Sequence, residues 1–464
     1  MTTASTIYSK WNRFARYISM VWLLFVVLGT RPATAQRVAE AIGWDAVPAI
    51  LANIQSPAFP DRDFDARQHG ARPDGKTDCR PAIMAAIKAC HESGGGRVIL
   101  EAGDWYCKGP VHLKSNVNLH LKEGATLRFS PQPKDFLPVV LTRFEGTELM
   151  NFSPPIYAFE QENIALTGKG TIDGQADDDH WWDWKGSGNE HVAKLLEYGE
   201  GNVPVAERHF GGDYRIRVNF VQFYRCKNIL IEDITVHRSP MWEVNPVLCE
   251  NVTVRGVHID SHGPNNDGCN PECCKNVLIE ECYFDTGDDC IAIKSGRNAD
   301  GRRVGVASEN IVVRNCQMKD GHGGVVLGSE MSGGIRNVFV EDCTMDSPHL
   351  ERAIRLKSNS MRGGYLENMF VRNIDVGQVS DAVVRINLQY WAPESGDYPP
   401  RVSNIVIENV TSKKSTRPLY LVGLENSHID GVVLRNCQFR GASKPSLIEN
   451  VKRLTWENVT QADK

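Results

Sequence analysis

The sequence holds few long helical patterns, little net charge for its length and, past Ala35, no apolar run able to cross a bilayer. The scarcity of helix, with 40 glycines, leans the chain toward β structure. A formal net charge of -5 over 464 residues gives no global argument for nucleic acid or an anionic membrane surface as partner. The leucine spacing of leucine-rich repeats is missing, and Val and Ile dominate instead. "CNPECC", Cys269 to Cys274, has neither a second matching pair nor a His at ligand spacing, so no zinc or other metal is assigned to it.

What remains is an ordinary globular composition, with 41% hydrophobic, 8% aromatic and 23% charged residues, long enough to bury a large core. Lys10, Arg13 and Arg16 precede the apolar run "YISMVWLLFVVLG", and "ATA" at Ala33 to Ala35 supplies small residues before Gln36. That is the layout of a cleavable secretory signal over residues 1–35, so a secreted or periplasmic protein is expected, free of the membrane once cleaved. Thirteen cysteines follow, an odd number. Cys282, Cys316, Cys343 and Cys437 recur at one place in a repeat and read as small buried residues rather than a disulfide framework.

The repeat decides the architecture. "NILIEDITV" from Asn228, "NVTVRGVHI" from Asn251, "NVLIEECYF" from Asn276, "NIVVRNCQM" from Asn310, "NVFVEDCTM" from Asn337, "NMFVRNIDV" from Asn368 and "NIVIENVTS" from Asn404 share one template. It continues, degraded, from Gly431 and Arg453, with spacings of 22 to 36 residues and an early relative at Asn163. Each unit is a short strand of period two, a turn-prone pair and a second short strand, too small to stand alone and right for one solenoid coil. The backbone groups of such strands are satisfied by the equivalent strand one coil away. The expected fold is therefore all-β, a single-domain right-handed parallel β-helix. A helical cap is expected over "DCRPAIMAAIKACHESGGG", with Asp78 as cap residue, Pro81 in the first turn, Ile83, Ile87 and Cys90 on one face, and Gly94 to Gly96 as the stop. The organisation read from this is a cap with first coils over 36–150 and the β-helix proper over 151–464, one domain together and a monomer.

Within that frame "YFDTGDDCIAIKSG" sets Asp288 beside Asp289, which alone would pass for a solvated turn. Asp288 follows Asp267 of "NNDG" by 21 residues, His322 of "GHGG" follows Asp288 by 34, and Arg355 of "IRLK" follows His322 by 33. Each gap is about one coil, and coils stack at about 4.8 Å. Asp267, Asp288 with Asp289, His322, and Arg355 with Lys357 are expected as a column down one face. Crowded carboxylates raise at least one proton affinity, giving an acid beside an acceptor, the equipment for cleaving a glycosidic bond. Removing either acid of the pair should relieve repulsion with little loss of stability. Arg355 and Lys357 would hold an anionic group, with Lys357 read as an exposed groove lysine. A ladder of surface salt bridges on a carbohydrate-binding solenoid is the non-enzymatic alternative.

"NNDG" from Asn265, "GDD" from Gly287, "GHG" from Gly321 and "RLK" from Arg355 resemble, in order and spacing, the four motifs of the polygalacturonase family of glycoside hydrolases (family 28). The likeness extends from "DFDARQHGARPDGKTD" at Asp63 through the repeats. It implies hydrolysis, with inversion, of α-1,4-linked galacturonic acid in pectin, with no metal or other cofactor. It also implies that Asp288 is the general acid, that Asp267 with Asp289 holds and deprotonates the attacking water, and that His322 tunes or orients the acid. Arg355 and Lys357 would grip the galacturonate carboxylate, with Asn265 among the substrate contacts. Asn266 stands where the family usually has Thr. "SPMWEVNPVLCENV" from Ser239 resembles bacterial exo-acting members, and the insertion over 177–215 could wall off one end of the groove. Rhamnogalacturonan or xylogalacturonan hydrolysis is the alternative inside the family; a pectate lyase using calcium is the alternative outside it.

Several residues stay open at this level. Trp181, Trp182 and Trp184 could line a sugar subsite or pack a loop. His258 and His262 read as loop histidines, and Asn151, Asn251, Asn409 and Asn458 are formal glycan acceptors discounted where they fall in repeats.

Overall fold

Short β-branched strands that cannot close a ladder within their own coil close it on the next one. The computed structural model describes residues 42–391 and 395–463; the stretch read as an export signal lies outside them. Ile229 pairs with Val252, Val252 with Val277, Val277 with Ile311, Ile311 with Val338, Val338 with Met369 and Met369 with Ile405, all in parallel. Each is the second residue of its aligned repeat, so the alignment and the strand register coincide. The chain winds as a right-handed parallel β-helix with three strand ribbons. One carries the first half of the repeat, as in Lys227–Glu232 and Lys275–Glu280. A second carries the other half, as in His258–Ser261 and Tyr283–Thr286. The third is formed by what lies between repeats: Val244–Val247, Ile291–Ile293, Val325–Gly328, Arg352–Lys357 and Ala382–Asn387.

The asparagine that opens each repeat has a structural cause. Asn228, Asn251, Asn276, Asn310, Asn337, Asn368 and Asn404 all adopt φ between 53° and 61°, a left-handed turn that Asn tolerates better than other side chains bearing a Cβ. Each side-chain amide then donates to the one before it, from Asn163 on Asn116 at 3.1 Å to Asn404 on Asn368 at 2.8 Å, so the corner is spanned by a continuous ladder. Three of the formal glycan acceptors have their nitrogens engaged in such ladders, Asn251 on Asn228, Asn409 on Asn373 and Asn458 on Asn436, and Asn151 is buried and donates to Ile216.

Inside the coils, apolar side chains stack from the cap floor to Phe439. All thirteen cysteines are buried free thiols, those of "CNPECC" included. The expected cap helix runs Arg80–Glu92, with Asp78 accepting from the Arg80 amide at 3.0 Å and Ile83, Ile87 and Cys90 fully buried. Sequence reading missed a second helix, Val47–Asn53, whose Val47 and Ile50 cover Leu278, Val312, Phe339 and Phe370 on the outer face of the first ribbon. Among the described residues no helix is long and apolar enough to cross a membrane.

Beside the third ribbon stands a platform of insertions. An antiparallel hairpin, Val140–Phe144 with Thr147–Asn151, shares an apolar cluster with Leu195 of the helix Asn189–Glu200. Asp300, on the helix Asn298–Val304, accepts from the Glu148 amide at 2.8 Å and from Arg208 at 2.8 Å. The hairpin tip meets the ribbon at Gly146, where φ is 83° and an added Cβ would sit 2.7 Å from the Arg297 nitrogen. Trp181 is buried in the same region against Phe136, Phe152 and Trp184, and Trp182 donates to the Ser239 carbonyl at 2.9 Å. This tryptophan cluster packs a loop.

Candidate active site

The site forms where the second ribbon turns into the third. Cys269 pairs with Ile291, Ile291 with Val325 and Val325 with Ile354. Asp267 and Asp289 therefore hold one position in successive coils, and Asp288 holds the position of His322. Arg355 does not lie in that column. Val325 pairs with Ile354, so Glu351 sits beneath His322, and Arg355 and Lys357 register instead with Val326 and Gly328, further along the strand. Their length brings them back: Arg355 Nη1 lies 3.1 Å from Asp289 Oδ1 and Lys357 Nζ 2.7 Å from Asp289 Oδ2.

Two expectations change with that geometry. Lys357 is 8% exposed, a buried partner of Asp289 rather than an exposed groove lysine. Asp289 is fully buried and meets two cations, so removing its charge leaves them unpaired instead of relieving repulsion.

Asp288 is the carboxyl that faces the pocket, with 16% of its side chain exposed. His322 Nδ1 lies 2.9 Å from its Oδ1, and Asn265 Nδ2 donates to Oδ2 at 3.3 Å. Arg217 holds Asn265 through a 2.7 Å bond. Asn266 accepts from Ser261 and the Gly263 amide and donates to the Ser239 and Met241 carbonyls, a set no Thr could complete. Asp267 is buried behind, accepting from Asn270 at 2.8 Å with Lys294 Nζ 3.7 Å away.

These environments drive the acids apart. Burial, then the charge of Asp288, pushes Asp267 well above the usual carboxylate range despite Lys294. Burial works to raise Asp288 too, yet the His322 hydrogen bond and the charges of Lys357 and Lys294 outweigh it and hold that carboxyl below the usual range. The same bond raises His322. One raised acid was expected from the crowding; it is Asp267, while the acid position implied by the family motif is the lowered one.

A pocket of about 320 Å³ joins these residues. Sequence reading missed several of its walls. Lys294 lies over the Trp242 ring at 4.7 Å and 3.2 Å from Glu330. Its signal was available, since Ile293 pairs with Leu327 and Leu327 with Leu356, which sets Lys294 at the strand position of Lys357 two coils on. Glu145, Arg297 and Arg362 line the pocket from separate loops and carry no such signal. Of the insertion over 177–215 only Lys185 reaches the pocket; the wall is the hairpin tip at Glu145. His258 stacks on Tyr283 at 4.5 Å and His262 lies 3.0 Å from Asp285, both outside the pocket lining.

A sequence profile described as Glycosyl hydrolases family 28 matches residues 206–460. The crystal structure of a hyperthermoactive exopolygalacturonase from Thermotoga maritima is 46% identical, superposes with a TM-score of 0.87, and covers 90% of this chain and 95% of its own. An exo-poly-alpha-D-galacturonosidase of Dickeya chrysanthemi is 28% identical over 437 residues, 85% of this chain and 70% of that protein. The family 28 exopolygalacturonase of Yersinia enterocolitica, at 22% identity and a TM-score of 0.72 over 87% of this chain and 76% of that one, shares the fold.

Proposed function

Because the chain belongs to glycosyl hydrolases family 28, we infer that it hydrolyses α-1,4-linked polygalacturonate with inversion, acting from a chain end. The observation that carries this reading is Asp288 with His322 at the mouth of a pocket whose floor holds Asp289 between Arg355 and Lys357. In the proposed roles Asp288 protonates the leaving oxygen. With its own carboxyl held ionised in the free site, it delivers the proton carried on His322 Nδ1, which crosses the 2.9 Å bond as the leaving oxygen takes up charge. Water attacks the anomeric carbon from the opposite face and loses its proton to Asp289. Asp267, whose carboxyl burial pushes well above the usual carboxylate range, helps hold that water beside Asp289. Arg355 and Lys357 present a forked and a point charge to a sugar carboxylate, neither wholly spent on Asp289. End-on action is supported by the hairpin wall at Glu145 and by the exo-acting relatives. Export to a secreted or periplasmic site, monomeric action and a pectic substrate complete the reading.

The test is incubation with polygalacturonate in the presence of a chelator. Reducing ends without the ultraviolet absorbance of unsaturated ends, released as one small product from the start, are expected. Unsaturated ends would overturn hydrolysis, and an early ladder of mixed oligomers would overturn the exo mode.

A further inference from the structure

Arg217 belongs to none of the four motifs and does not line the pocket, yet it reaches the acid of the site through one intermediary. It stands four residues before Val221, as Pro240 stands before Val244 and Asn265 before Cys269, and those three later residues pair in succession along the third ribbon. Arg217, Pro240 and Asn265 therefore share one position in three coils, and the arginine reaches across the middle one. Its Nη2 donates to Asn265 Oδ1 at 2.7 Å, and its Nη1 donates to the Pro264 carbonyl at 2.5 Å and to the Pro240 carbonyl at 3.4 Å.

Arg217 is 3% exposed, and among the described residues no carboxylate forms an ion pair with it. A buried guanidinium without a counter-ion is costly. Burial lowers this one to about 10, against the more distant charges of Glu145, Asp288 and Asp267, so it stays charged near neutral pH. A guanidinium only donates, so Asn265 must turn its carbonyl oxygen toward Arg217 and its amide nitrogen toward Asp288, where Nδ2 donates to Oδ2 at 3.3 Å. Oδ1 is then the oxygen left to share a proton with His322, whose Nδ1 lies 2.9 Å away. Without Arg217 the same amide is free to turn over and set an acceptor against the carboxylate.

We propose that Arg217 is a positioning residue for proton delivery: acting through Asn265, it holds the carboxyl of Asp288 with Oδ1 on His322. The inference rests on the reading of Asp288 as the acid and adds a residue outside the motifs on which that acid depends. Arg217 touches no reacting atom, so its loss should be felt where the leaving oxygen needs a proton and should spare substrate binding.

The experiment measures kcat and KM on trigalacturonate and on an aryl galacturonide with a good leaving group for the wild type, R217M, R217K, N265A and the double variant R217K/N265A, with melting curves for all five. R217M is expected to lose about ten- to a hundredfold in kcat on trigalacturonate with KM nearly unchanged, and most of that loss should disappear on the aryl substrate, which needs little acid assistance. R217K keeps the charge without the fork, so it should lose less in the same pattern, and nothing further once Asn265 is already Ala. Should R217M fail to fold, the cycle of R217K with N265A carries the comparison. Equal losses on both substrates, additive losses in the cycle, or Arg217 variants with unchanged kcat overturn the positioning role while leaving the hydrolase reading intact. A wild type that cleaves neither substrate overturns that reading and the positioning role with it.

Discussion

Asp289 has no exposed surface, and its two oxygens answer Arg355 and Lys357 separately. Asp288, one residue earlier, opens to the pocket and answers His322. Adjacent carboxyls thus carry different burdens, and the same substitution should part them. Asp288→Asn deletes the proton path to the leaving oxygen, so activity on oligogalacturonate should fall by about two to four powers of ten, and an aryl galacturonide with a good leaving group should restore part of it. Asp289→Asn deletes the acceptor, so no leaving group should rescue it, and two buried cations lose their counter-charge, lowering stability by about 3 kcal/mol or more. Kinetics on both substrates with denaturation of both variants checks this; equal rescue would reverse the roles. Lys357→Met should lower kcat/KM on polygalacturonate by about one to two powers of ten. It should also lower stability by about 1 to 3 kcal/mol, since it takes a 2.7 Å partner from a buried carboxylate. Unchanged kinetics would remove Lys357 from substrate binding.

At the scale of the coil, the Asn ladder sets how repeats join. Asn310 accepts from Asn337 and donates to Asn276, at φ 59°. Asn310→Ala loses both bonds and forces a methyl into a left-handed turn, an expected loss of about 2 to 3 kcal/mol; Asn310→Gly loses the bonds without that strain and should fall by about 1 kcal/mol less. Urea denaturation of the two variants decides whether turn conformation matters, and equal losses would leave only the hydrogen bonds. This ladder also explains what was legible. Repeats aligned on their asparagines reproduced the register because the asparagine is itself a stacking residue, and Asp267, Asp288, Asp289 and His322 then fell into place. Arg355 and Lys357 were brought to the site by reach, not by column position, because coil lengths vary and a count of 33 does not fix a register. Arg297, Arg362 and Glu145 come from loops joined only by tertiary docking, which no period records. The helix Val47–Asn53 was hidden for a similar reason: it covers apolar residues on a ribbon face that alternation alone assigns to solvent.

Taken as a whole molecule, the chain buries acids of two opposite kinds, and their balance shapes stability against pH. Burial, opposed by Lys294 and Arg362, leaves Glu330 below the usual range, and Asp288 is lowered as well. Lowered acids contribute stability that is present above their unfolded values of about 4 and lost as pH falls toward their folded ones. Asp267 and Glu243 are the reverse case, raised well above the usual range, each first by burial. Their contribution is full below about pH 4 and is lost as pH rises toward their folded values, and His322, also raised, acts in the same direction above its unfolded value of about 6.5. Stability should therefore decline on the acid side below about pH 4 and again through the neutral and alkaline range. Glu243 isolates the second effect, because it is fully buried, has no ion-pair partner among the described residues and has no part in the proposed chemistry. Glu243→Gln keeps the shape of the protonated acid and removes its titration. At pH 3.5 it should melt with the wild type, and its advantage should grow with pH by at most about 1.4 kcal/mol per unit. Melting curves of both proteins from pH 3.5 to 8.5 test this; a constant offset would show that Glu243 is charged when folded, against the sign derived from its burial.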